Sequence, residues 1–405
     1  MGTGRAAAIA AGVAGVLAAA GARRPVIRTW PASILQAAPC LPASETPGAL
    51  SLVHAAIGAA ALRDGGGRRP AGLAAAAVNG LAVAALVDLR RDADRTARVF
   101  DAALAGLPTP AAAALPLLGG RAARERHLRA ADLAYGPDPA QRLDVWGPAG
   151  PTAGAPVLVQ VHGGGWTGGD KAHSAAPLMA HLVAHGWVCV TVNYRLGPHH
   201  RWPAMIVDVK RAIAWVKEHI GGYGGDPSFV AISGGSAGGH LASLAALTAN
   251  DPAFQPGFAG ADTTLAAAVP VYGVHDFSRD EHGLFALLER KVIGTTRVED
   301  PDTWLAASPL HRVTVDAPPF LVVHGDTDTI VSVGQSRRFV RRMREVGAEV
   351  RHAELPRAQH GFDAFPTART GHHVRGVHRF LAGVRARRRV RPAGAPTGQL
   401  HPATG

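Results

Sequence analysis

Residues 231–240 read AISGGSAGGH. SFVAISGG (228–235) predicts a strand and SAGGHLASLAALTA (236–249) a helix. Between them lies the pattern G-x-S-x-G, as Gly234, Gly235, Ser236, Ala237 and Gly238. A serine on a sharp strand-to-helix turn projects its hydroxyl off the edge of a sheet. The flanking glycines serve a strained turn that neighbouring chains approach closely. The helix N-terminus behind it offers aligned N–H dipoles to a developing anion. Ser236 is the candidate nucleophile.

The same alternation runs outward in both directions. RLDVWGP (142–148), PVLVQVHG (156–163), WVCVTVNY (187–194), LAAAVPVYG (265–273), PPFLVVHG (318–325) and AEVRHAEL (348–355) predict further strands. PVLVQVHG is a continuous apolar run, the type buried on both faces of a parallel sheet. Helical spacing marks 176–186, 204–220, 334–346 and 371–387. Strand–helix alternation across about 260 residues predicts an α/β domain over 125–390, a mostly parallel central sheet with helices on both faces.

A serine hydroxyl needs a base, and the base needs an orienting acid. In this architecture the chain order is serine, then acid, then histidine. FLVVHGDTDTIV (320–331) offers Asp326 and Asp328 just after a strand, and LPRAQHGFD (355–363) offers His360 just after the next. Both loops arrive at the carboxyl ends of strands, where ligands of such sheets gather. His352 lies within its strand, and His372 and His373 open the last helix, so they are weaker candidates. The carbonyl attacked by serine becomes an oxyanion and needs preorganised N–H donors. VHGGGW (161–166) leaves a strand predicted beside that of the nucleophile, and its glycines can turn their amides inward. The expected donors are the amides of Gly164, Gly165 and Ala237, with Gly163 and His162 supporting the loop. A phosphate cradle is excluded by the absence of Lys-Ser/Thr after the glycines.

HGGGW…GGDK, NYRLGP, WPAMIVDVKRAIAWV, GGDPSFVAISGGSAGGHLA, HGDTDTIV and QHGFD occur in that order. Together they resemble the esterase/lipase branch of the α/β-hydrolase superfamily, closest to its hormone-sensitive-lipase-like and bacterial feruloyl-esterase-like members. The resemblance covers about residues 130–385. It implies Ser236 as nucleophile, His360 as base and Asp328, fourth residue of the G-x-x-D stretch Gly325–Asp328, as acid. It also implies carboxylic ester hydrolysis through an acyl-enzyme, with no metal or organic cofactor. Lipase-like members carry aspartate before the nucleophile; here Gly235 stands there, which leans toward the feruloyl-esterase-like side. HGGGW is also similar to the HGG-x-W of kynurenine formamidases, so a formamidase or amidase is the alternative reaction. A membrane-tethered binding module without catalysis is the alternative class. Residues 278–311 fall where this superfamily inserts a cap. Trp166 and Tyr194 are expected either to line the pocket or to pack in the core, and Asp208 to serve a helix structurally.

Residues 1–120 differ in character. They are alanine-rich and contain three apolar stretches, Ala6–Ala22, Gly48–Leu62 and Ala71–Val87. Each falls short of the roughly 20 residues of a typical spanning helix. They predict a helical leader that inserts in or anchors to a membrane. A signal peptide ending in AAAGA and a soluble helical region are the alternatives. By composition and spacing the leader resembles the multi-helix leaders of some bacterial membrane esterases. The basic loop RDGGGRR (63–69) argues for the cytoplasmic side of that loop, while arginine pairs at 23–24 and 90–91 argue the opposite. Residues 88–120 are expected to form a separate polar helix and a connector, and 391–405 a disordered tail. The formal net charge is +12, nearly all from arginine. With no nucleic-acid motif present, that charge suits anionic lipid headgroups rather than nucleic acid. The expected partners are a small-molecule or lipid-like ester and a membrane surface. Two cysteines, Cys40 and Cys189, form no disulfide framework and no zinc spacing.

Overall fold

The computed structural model describes residues 3–63, 70–110, 119–150 and 152–390. Most of the basic 63–69 loop and the 391–405 tail lie outside the described residues.

Strands β1 (Leu128–Ala134), β2 (Arg142–Trp146), β3 (Ala155–Val161), β4 (Val188–Val192), β5 (Gly225–Gly235), β6 (Ala268–Val271), β7 (Phe320–Gly325) and β8 (Val350–Leu355) form one sheet. Their order is β1-β2-β4-β3-β5-β6-β7-β8. β1 and β2 pair antiparallel, β2 joins β4 antiparallel, and every later pairing is parallel. All seven residues of β3 are buried, as its unbroken apolar run requires. Its period of two sends Val157, Val159 and Val161 into one core layer and Leu158 into the other.

β1 is missing from the expectations above. Its sequence LRAADLA has no β-branched residue, and only three of its seven residues, Leu128, Ala130 and Leu133, are even partly shielded. Edge pairing to β2, with Leu133 opposite Leu143, creates it.

Helices α1 (Thr3–Arg23), α2 (Ala32–Glu45), α3 (Pro47–Arg63) and α4 (Pro70–Ala103) form the N-terminal region. Then follow α5 (Gly120–His127), α6 (Ala176–Ala184), α7 (Ala204–His219), α8 (Ala237–Leu247), α9 (Phe285–Leu287), α10 (Pro301–Ala306), α11 (Val333–Glu345) and α12 (Ala368–Val390). α7 and α8 supply one core layer, and α6 and α12 the other.

The expected separate helix from residue 88 is instead the second half of α4, which runs unbroken for 34 residues. Nothing in the sequence between Val87 and Asp88 breaks a helix, so the change from apolar to charged marks a change of surroundings. The N-terminal half packs on α1 and α3. The C-terminal end of α4 reaches the core beside the sheet, where Phe100, with Leu104 and Leu107 just past the helix, joins Phe380, Leu381 and Val384 of α12. The structure therefore runs one helix from the apolar N-terminal bundle to the core beside the sheet.

Candidate active site

Ser236 sits between the last residue of β5 and the first of α8, with φ 58° and ψ −123°. A non-glycine residue there is strained, and the strain aims its side chain away from the sheet. The turn is crowded. A Cβ on Gly238 would lie 2.2 Å from the carbonyl oxygen of Val161, and one on Gly234 would lie 2.4 Å from that of Gly238. At Gly235 an added Cβ would meet the Tyr272 hydroxyl at 2.8 Å, so an aspartate before this serine would have to displace the Tyr272 ring.

His360 occupies the loop after β8 and Asp328 the loop after β7. The His360 Nδ1–H donates to Asp328 Oδ2 at 2.7 Å. Asp328 is buried, and its other oxygen accepts from the amides of Ile330 (2.8 Å) and Val331 (2.9 Å). The ring of His324 stands 3.3 Å away. Burial by itself raises this carboxyl, but the His360 charge and the hydrogen bonds from His324 and His360 outweigh it and hold Asp328 well below the ordinary carboxylate range. Asp326 turns elsewhere, accepting the Arg357 amide at 2.6 Å. Burial raises its pKa instead. His352, His372 and His373 do not line the cavity that Ser236 and His360 share. The serine hydroxyl and the His360 ring face that cavity without a direct hydrogen bond, a contact that commonly tightens only when substrate binds.

The HGGGW loop lies on the nucleophile turn. A Cβ on Gly163 would come within 2.8 Å of the Gly235 carbonyl and 3.2 Å of Ser236 Cβ. Gly164 (φ 120°) and Gly165 (φ 61°) adopt backbone conformations that L side chains rarely accept. The amides of Gly164, Gly165 and Ala237 donate to no other protein group among the described residues. His162 donates from Nδ1 to the Gly163 carbonyl at 2.7 Å, stacks on Tyr194 at 4.3 Å, and is kept neutral by burial. Tyr194 does not line the cavity; it is buried under His162 and donates its hydroxyl to the His162 carbonyl at 3.0 Å. Trp166 does line the cavity and donates from its indole to His240 Nδ1 at 3.1 Å. Asp208 is engaged by Arg195 at 2.7 Å and Gln141 at 2.7 Å, away from the serine.

The cavity measures about 480 Å³. Leu284 and Leu287 of the segment between β6 and β7, with Ile330 and Val331, supply apolar wall. Tyr272, Trp30 and Ile34 are among the lining residues that the sequence reading does not single out. Tyr272 packs its ring 4.5 Å from that of His360 and donates its hydroxyl to Asp363. Trp30 and Ile34 reach the cavity from the N-terminal region, and the Trp30 amide donates to the His282 carbonyl at 2.6 Å. No motif marks these residues, because their proximity arises only from folding.

The family model BD-FAE matches residues 143–343. The chain is 51% identical over 263 residues to a probable carboxylic ester hydrolase, LipM, of Mycobacterium tuberculosis, a match covering 63% of this chain and 61% of LipM. It is 44% identical over 307 residues to esterase LipC of the same organism, covering 72% of this chain and 76% of LipC. Thus the chain spans about three-fifths of LipM's length and three-quarters of LipC's. A propionate-bound esterase from Thermogutta terrifontis superposes with a TM-score of 0.53 at 26% identity, over 65% of this chain and 95% of that one. With its nucleophile-elbow turn, eight-stranded sheet and these relatives, the chain belongs to the esterase branch of the α/β-hydrolase superfamily.

Proposed function

We propose that this protein hydrolyses carboxylic esters through an acyl-enzyme. Ser236 attacks the ester carbonyl, and its proton passes to His360 Nε2. Asp328 fixes the imidazole tautomer and stabilises the imidazolium. The amides of Gly164, Gly165 and Ala237 receive the oxyanion. His360 then protonates the departing alcohol, the acyl group stays on Ser236, and a water activated by His360 releases it. The observation that carries this reading is the 2.7 Å contact from His360 to a buried Asp328, on the wall of the cavity that exposes Ser236. Ser236→Ala should abolish turnover of p-nitrophenyl esters and labelling by a fluorophosphonate, with an unchanged thermal melt. Retained turnover refutes the assignment.

The substrate is a lipophilic ester met at a membrane. α1 and α4 are long and apolar enough to cross a bilayer. Their packing supports that use more than their composition does. Gly12, Gly58, Ala75 and Ala82 are buried between helices, while Leu17, Leu52, Leu73 and Leu81 point outward. Small residues inside and large apolar ones outside is the pattern of helices packed in lipid. His54 and Asn79 join at 2.8 Å within this bundle, and Asn79 also donates to the Ala8 carbonyl at 2.9 Å, so the polar groups are satisfied internally. Val26, Ile27 and Leu35, beside the cavity-lining Trp30 and Ile34, are exposed as well. The protein should stay with membranes through alkaline carbonate washing; release into the wash overturns the anchoring.

A further inference from the structure

His181 lies in α6 and His185 caps its C-terminal end, one helical turn apart; His378 projects from α12 toward both. Ligand nitrogens of the three rings all lie within 4.8 Å of one another. Four-coordinate zinc with bonds of about 2.0–2.1 Å sets its ligands roughly 3.3 Å apart, so small ring rotations close the gap. None of the three lines the catalytic cavity.

The rings are arranged as ligands rather than as a hydrogen-bonded cluster. His185 donates from Nδ1 to the His181 carbonyl at 2.7 Å, which leaves its Nε2 lone pair free. Such a bond from the other ring nitrogen is the usual device for orienting a metal-binding imidazole. His181 is 9% exposed, yet its Nε2 is buried with no hydrogen-bond partner. An orphaned buried nitrogen is costly unless something binds it. The three rings border a second cavity of about 310 Å³, also lined by Asp101, Thr109 and His372. It leaves room for a water or carboxylate as fourth ligand. Three charged groups weigh on a cation there, Arg375 and Arg379 against it and Asp101 for it. Arg375 opposes it, though its guanidinium is engaged with His372 Nδ1 at 3.0 Å, and Asp101 favours it, although shared with Arg379 at 3.0 Å.

We propose that His181, His185 and His378 bind one zinc ion, which ties α6 to α12. α6 follows the HGGGW strand and α12 follows the His360 loop, so the ion would fasten together the two helices behind the catalytic loops. Imidazole nitrogens suit zinc, and Mg²⁺ should not compete.

The test uses full-length protein in detergent, stripped with a chelator and dialysed. Calorimetric titration with Zn²⁺ should give one ion per chain, and Co²⁺ should develop the strong visible bands of four-coordinate geometry. Zn²⁺ should raise the melting temperature and Mg²⁺ should not. His378→Ala and, independently, the milder His185→Gln should each weaken Zn²⁺ binding at least about tenfold. Ester turnover with Ser236 intact should persist in both. Binding of equal strength in the wild type and both variants would assign the ion to other histidines and overturn the proposal. So would the absence of any zinc-dependent rise in melting temperature.

Discussion

At the scale of single residues, the candidate chemistry depends on one imidazole held in one tautomer. Asp328→Asn keeps the shape but offers a donor where an acceptor is needed. Turnover should fall by about 10⁴-fold, with little change in KM. The same substitution should alter acid stability. Asp328 is held below its unfolded value of 3.8, so its contribution is present above that value and lost as pH falls through it. Melting temperatures followed from pH 7 downward should therefore drop more steeply in the wild type than in Asp328→Asn. Equal slopes contradict the pairing. Ser236, His360 and the glycines were legible because their chemistry fixes both residue type and local spacing. Asp326 and Asp328 share one loop and one residue type. The G-x-x-D resemblance favours Asp328, and in the structure Asp328 meets His360 while Asp326 turns to the Arg357 amide.

At the scale of elements, α4 and α12 decide how the N-terminal region is held. Glu45 of α2 and Arg369 of α12 meet at 3.0 Å with both side chains fully buried. Arg357 bridges Asp88 at 3.1 Å and Asp92 at 2.6 Å on α4. Breaking a buried pair from one side leaves an uncompensated charge, so Arg369→Met should cost about 3–5 kcal/mol, read as a fall in melting temperature. Burial raises Glu45 from 4.5 to about 7 despite Arg369. A raised carboxyl makes the folded state the stronger proton binder. This contribution is full below pH 4.5 and is lost as pH rises through about 7. Glu45→Gln should flatten that part of the stability profile; an unchanged slope excludes Glu45 as its source. Composition alone suggests two helices where the 34-residue α4 runs, because it changes midway. Helical periodicity continues through the change, and only the partners differ.

At the scale of the molecule, the N-terminal helices share a core and a buried ion pair with the α/β domain. A chain starting at residue 120 would lose Phe100, Leu104 and Leu107 from a core layer and leave Arg369 without Glu45. Each large apolar side chain contributes about 1.5–3 kcal/mol by burial. That shortened chain should aggregate or melt far below the full chain in detergent, as size-exclusion and thermal melts would record. An equally stable shortened chain contradicts the shared core. The cavity gives a second whole-molecule consequence, because one wall comes from Trp30 and Ile34. Trp30→Ala should shift preference along a series of p-nitrophenyl acyl esters, with the gain at longer chains, while Ser236 labelling persists. An unchanged series removes Trp30 from the substrate wall.

The sequence by itself determined the sheet-and-helix alternation, the elbow around Ser236 and the bare-amide loop at 162–166. Each follows from local rules: apolar periodicity, the strain of a tight turn, and the need for uncovered N–H groups. The tertiary structure alone decided that β1 exists, that α4 spans two environments, that Trp30 reaches the cavity beside Ser236, and that His378 meets His181 and His185. Those outcomes depend on contacts between residues tens to hundreds of positions apart, which closing the core brings together and short-range pattern does not encode.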